Sequence, residues 1–109
     1  MPYTNQYLAT DPARADVDAS ADVLLLEFGA PWCPHCQLAQ PAIEAFVSEH
    51  PLLQHLKIED GSGKPLGRSF KVKLWPTLVL LRAGQELARV VRPRSGEDLL
   101  ALRAAMVGG

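Results

Sequence analysis

The chain has 109 residues, 48% of them apolar and 21% charged, with eleven basic side chains against twelve acidic ones. That is about one domain's worth of sequence with enough apolar material for a packed core, which excludes disorder as the main state, and its balanced charge supplies no field to recruit nucleic acid or an anionic membrane. The opening MPYTNQYLATDPARADVDAS lacks a basic start, an apolar run and a small-residue cleavage site, and VLLLEF and LVLL fall far short of the roughly 20 residues that span a bilayer, so a cytoplasmic protein is expected.

Asp11-Pro12 supplies an N-cap and a first-turn proline, predicting a short helix over ARADVDA. A strand follows over 22–28, where VLLLEF is apolar nearly throughout, as in a strand covered on both faces. A helical pattern then spans 33–50, with Leu38, Ile43, Phe46 and Val47 on its apolar side. Pro41 inside it removes a donor and crowds the carbonyl of Gln37, predicting a kink. LKIED is a second strand, GSGKPLGRS has room only for a short helix, and TLVLLRAGQELARVV reads as two strands joined through Ala83-Gly84. Ser95 opens the last helix with Asp98 at the capping-box position and Gly108 as its stop. With no repeat and no linker, 1–109 reads as a single domain, and the element order predicts an α/β fold: a mixed sheet with helices on both faces.

Cys33 and Cys36, the chain's two cysteines, lie in FGAPWCPHC, between the first strand and the second helix. A C-x-x-C at such a junction is the arrangement of a thiol redox couple. With Cys33 as the N-cap, Pro34 takes the first helical position, where a missing N–H costs nothing, and Cys36 the third. The free amides of that turn then point at the Cys33 sulfur and, with the helix dipole, favour its thiolate, which makes Cys33 the attacking sulfur. His35, between the thiols, can add a donor or a charge to the same thiolate. Glu27, inside the run of leucines, is expected to be desolvated with a raised pKa, and hence to be a proton-transfer group, unless its carboxylate snorkels out.

Metal readings of the same motif find less support. Zinc needs four ligands, and beyond the thiols only His35, His50 and His55 remain, of which His50 and His55 alone have a ligand-like spacing. Covalent haem needs a histidine where Gln37 stands. Two thiolates alone could carry Cu(I), and two cysteines could fall at this spacing by chance. No metal and no other cofactor is expected.

VLLLEFGAPWCPHCQLAQP resembles the active-site strand and helix of the thioredoxin family, and LWPTLVLLRAGQELARVV is similar to its later proline-bearing loop and hairpin. The likeness covers nearly all of the chain after the first helix. It implies a thioredoxin-like fold, with a central four- or five-stranded mixed sheet flanked by helices, and a dithiol that exchanges with disulfides in protein substrates. Carried over by position, it makes Cys33 the nucleophile, Cys36 the resolving thiol, and Glu27 the acceptor of the Cys36 proton, with Lys57 near that carboxyl. Pro41 becomes the helix kink and Pro76 a cis-proline lying against the dithiol. A cis bond there exposes the backbone of Trp75 to pair with an extended substrate strand. Trp32, Pro34, Trp75, Thr77 and Arg92 then form the substrate surface. The resemblance further implies a monomeric disulfide reductase, recycled by a flavin-dependent thioredoxin reductase or a similar thiol donor.

Four features depart from common thioredoxins. Pro34-His35 replaces Gly-Pro between the cysteines and resembles the strongly oxidising bacterial periplasmic disulfide oxidases, whose inserted helical domain has no room in 109 residues. Gly29 replaces the usual aromatic after the strand, and Trp75 a small aliphatic before the proline. Arg92 stands where glycine is common and, with Arg94, makes a basic turn that reads first as a solvated loop and second as a surface for acidic targets. The rival reading is a thioredoxin-like binding or chaperone module whose dithiol is regulatory or incidental.

Overall fold

In the computed structural model, which describes residues 3–108, four strands form one sheet in the order β2-β1-β3-β4. These are β1 (Val23–Gly29), β2 (Gln54–Glu59), β3 (Thr77–Arg82) and β4 (Gln85–Val91). Residues 1, 2 and 109 of the expected unit lie outside the described residues. β2 runs parallel to β1, whereas β3 pairs antiparallel with both β1 and β4. The sheet is therefore mixed, as expected, and the N-terminal segment adds a single parallel bridge, Tyr7 to Lys57, outside the named strands.

Period-two alternation sends neighbouring residues of β1 to opposite cores. Leu25 packs with Leu78 and Leu80 under Ile43, Phe46 and Val47 of α2 (Pro34–Ser48) and Leu102 of α4 (Leu100–Gly108). Leu24, Leu26 and Phe28 pack the other way, with Val17 of α1 (Arg14–Ala19) and Leu66 of α3 (Pro65–Ser69). Both faces are covered, which explains the unbroken apolar run. Glu27 shares the parity of Leu25 and so faces α2. Among the described residues no helix is long and apolar enough to cross a membrane.

Several local expectations need correction. α1 is capped by Ala13 with no side-chain bond, so Asp11-Pro12 precedes the helix without capping it. Arg14 anchors it instead, bonding Asp18 at 3.0 Å and the Ser69 carbonyl at 2.8 Å, with its guanidinium 3.8 Å from the centroid of the Phe70 ring. Leu38 is 66% exposed, because a helix beginning at Pro34 turns Cys36, Ala39 and Ile43 inward. Pro41 lies inside α2, as expected. The capping box at Ser95 does not form: Asp98 accepts from the Arg94 amide at 2.8 Å, and a 3-10 turn over Gly96–Leu99 leads into α4. The hairpin turn is as expected, with Ala83 and Gly84 at φ of 50° and 79°, the left-handed pair that a two-residue hairpin uses.

Candidate active site

The dithiol sits where β1 ends and α2 begins. Cys33 is the N-cap, with φ −82° and ψ 117°, Pro34 opens the helix, and the Cys36 amide donates to Cys33 Sγ at 3.2 Å. The sulfur thus takes the place of the oxygen that usually caps a first turn. Both cysteines are free and buried, while Pro34 and His35 between them are exposed.

Around Cys33 the surface is apolar. Trp32 is 69% exposed and meets Trp75 edge to face, with ring centroids 5.5 Å apart. Trp75 also packs against the cluster of Ala30, Cys33 and Cys36, and its indole N–H donates to Asp60 at 2.9 Å. The bond from Trp75 to Pro76 is cis, as the resemblance implied, and Pro76 is buried. Two substrate-surface expectations change. Thr77 is buried with its hydroxyl donating to the Leu74 carbonyl at 2.6 Å, so it braces the loop from inside and presents nothing to a substrate. The Trp75 carbonyl, expected to be open for strand pairing, accepts from Arg92 Nε at 2.9 Å. Arg92 has φ 52°, the left-handed region in which glycine escapes the Cβ penalty.

Behind Cys36 the surroundings are polar. Glu27 is fully buried, so its carboxylate does not snorkel out. One oxygen accepts from His55 Nε2 at 2.8 Å; the other accepts from Gln40 Nε2 at 2.8 Å and lies 3.5 Å from Lys57 Nζ. The Thr4 amide donates to His55 Nδ1 at 3.2 Å, which leaves Nε2 to carry the ring proton toward Glu27. Gln40 also donates to the Cys36 carbonyl at 2.8 Å and accepts from Tyr3 and Lys57. Every polar atom of this network has a partner, the condition under which buried charge is tolerated. Burial alone would raise the Glu27 pKa, as expected from sequence. The His55 hydrogen bond, the Lys57 charge and the Gln40 hydrogen bond outweigh it and hold the carboxyl below its ordinary value.

Cys36 shows the opposite balance. Burial first, then its hydrogen bond and repulsion with Cys33 and the nearby Glu27 carboxylate, push its thiol up to about 12. Beside it, Gly29 lies where a Cβ would come 2.5 Å from Cys36 Sγ, and the Tyr7 hydroxyl reaches the same space. His55, Gln40 and Tyr7 were not singled out as site residues from sequence. A strand begun at 54 in place of 56 would have set His55 and Lys57 on one face, two residues apart; nothing local marks Tyr7. Among the described residues, no group of three or more His, Cys, Asp or Glu side chains converges as metal ligands.

The Thioredoxin family model matches residues 6–104. A thioredoxin of Chlamydia muridarum is 36% identical over 81% of this chain and 85% of its own. The structure of reduced thioredoxin 2 from Pseudomonas aeruginosa PAO1 is 50% identical, covers 98% of this chain and 100% of its own, and has a TM-score of 0.85. The bifunctional thioredoxin reductase/thioredoxin of Mycobacterium leprae is 32% identical over 79% of this chain and 19% of its own length. With a C-x-x-C capping its second helix beside a cis-proline, and with these likenesses running almost end to end, the chain belongs to the thioredoxin family and is a thiol-disulfide oxidoreductase.

Proposed function

We propose that the chain works as a cytoplasmic, monomeric reductase of protein disulfides, with 1–109 acting as one folded unit. The Cys33 thiolate attacks a substrate disulfide and forms a mixed disulfide; Cys36 then attacks Cys33, releasing the reduced substrate and leaving Cys33 and Cys36 joined. The observation that carries this reading is the Cys36 amide donating to Cys33 Sγ at 3.2 Å at the head of a 15-residue helix, which favours negative charge on that sulfur. His35, exposed in the same turn, offers a further donor to a leaving sulfur. Once Cys33 is tied up in the mixed disulfide, its hydrogen bond and repulsion no longer hold Cys36 neutral, and the proton passes by way of solvent in the cleft that Cys36, Gln40 and Lys57 line to Glu27, whose low pKa keeps it ionised as the acceptor.

Substrate docks on the apolar rim of Trp32, Pro34 and Trp75 beside Pro76, with Arg92 at its edge. A flavin-dependent thioredoxin reductase returns the dithiol, a reading supported by the relative whose name joins thioredoxin reductase and thioredoxin in one chain. The test is turbidimetric reduction of insulin by dithiothreitol. Acceleration that disappears in Cys33→Ser is expected, whereas no acceleration by the native protein leaves only a binding module. Equilibration against glutathione then fixes direction: a potential near about −270 mV is expected, and one near about −120 mV would make the pair an oxidant.

A further inference from the structure

The N-terminal segment completes the wall behind Cys36, yet the scheme above gives it no task. Tyr7 is held there by its parallel bridge to Lys57, and the next amide, of Leu8, donates to the Lys57 carbonyl at 2.9 Å. Its hydroxyl faces the same space beside Gly29 as the Cys36 sulfur. Gly29 makes the meeting possible: a Cβ there would lie 2.5 Å from Cys36 Sγ and 3.3 Å from the Tyr7 oxygen, so any larger residue competes with both. Lys57 Nζ sits 4.8 Å from the centroid of the Tyr7 ring, and Asn5, Tyr7, Cys36, Gln40 and Lys57 line a cleft of about 260 Å³ behind the dithiol.

We infer that Tyr7 is a catalytic residue of the resolving step, donating its phenolic hydrogen bond to the Cys36 sulfur as that sulfur becomes a thiolate. The inference rests on the reading that Cys36 resolves the mixed disulfide. In that step the Cys36 S–H bond breaks and its proton passes to Glu27. The Cys36 sulfur bonds to the Cys33 sulfur, the bond from Cys33 to the substrate sulfur breaks, and the substrate leaves as a thiolate that takes a proton from solvent. The dithiol has then given two electrons to the substrate disulfide. Tyr7 keeps its proton throughout. Burial first, then the nearby Cys36, Glu27 and Cys33, raise the phenol well above its ordinary value, so it remains a donor at every working pH.

A hydrogen bond to a sulfur anion is stronger than one to a thiol, so this contact strengthens as the transition state forms, the condition for raising a rate and not merely an affinity. The other titratable groups around Cys36 are Cys33 at the helix cap, Glu27 on β1 and Lys57 on β2, with His55 reaching it only through Glu27.

Stopped-flow reaction of the reduced protein with a symmetrical nitroaryl disulfide separates the steps, since one coloured thiolate leaves on attack by Cys33 and a second on resolution by Cys36. Tyr7→Phe keeps the ring beside Lys57 and the backbone bridge. It is expected to leave the first phase unchanged, to slow the second roughly tenfold at neutral pH and to displace its pH profile upward by about one unit. A second phase equal to wild type in rate and profile overturns the inference, as does equal slowing of both phases, which would report a damaged fold. Cys36→Ser must show no second phase; one that persists overturns the resolving role of Cys36 itself, and Tyr7's part with it.

Discussion

Cys33, 5% exposed, lies beside a rim of exposed tryptophan and takes an amide from its own helix, whereas Cys36, 2% exposed, is walled in by groups from β1, β2, α2 and the N-terminal segment. The first environment is local. Its cap, proline and Trp32 fall within residues 32–36, with Trp75 added from the loop before β3. The second is assembled from distant segments, and its buried carboxylate and ammonium, with a half-buried amide and phenol, control a proton and do not touch a substrate. Two identical thiols three positions apart are thereby given different work, one by secondary structure and the other by tertiary structure.

Serine substitutions break the comparison most completely. Cys33→Ser should abolish exchange, while Cys36→Ser should still attack and accumulate a covalent adduct visible by mass spectrometry without reductant; absence of that adduct would count against the division of labour. Next in size is Glu27→Ala, which strands Lys57 in the wall and should cost about 3–5 kcal/mol in urea unfolding. Because the folded Glu27 pKa lies below its unfolded value, its contribution is complete above the unfolded value and fades as pH falls through the folded one. The stability gap between wild type and Glu27→Gln should therefore close on acidification, and a constant gap would remove Glu27 from the ion pair. Gly29→Ala presses on Cys36 and Tyr7 and should destabilise by about 1–3 kcal/mol while slowing resolution more than attack. The smallest effect is expected in front: Arg92→Gly frees the Trp75 carbonyl and should raise kcat/KM a few-fold for a neutral disulfide peptide. Stability should stay within about 1 kcal/mol, since relief of a left-handed residue offsets a lost hydrogen bond.

The same divide governs what could be read from sequence. The dithiol cap, the mixed sheet and the hairpin turn are written in adjacent residues, because Pro34, the apolar period and Ala83-Gly84 each act within a turn or a strand. Leu38 misled because two phases of the same helix look alike until its first residue is known, and Ser95 because Asp98 found a closer donor in the Arg94 amide. Glu27 was rightly placed in the core, but the direction of its pKa depended on His55 and Lys57 across the β1 to β2 pairing and on Gln40 from the helix above. Arg92 carried a visible charge, yet its bond to the Trp75 carbonyl follows from the fold of two loops.

The most direct measurement is the pH dependence of alkylation of each thiol by iodoacetamide, with the modified cysteine located by mass spectrometry. The account predicts that Cys33 is modified at neutral pH while Cys36 resists until strongly alkaline pH, in keeping with a thiol pushed up to about 12. Equal rates at the two cysteines, or modification of Cys36 first, would contradict it.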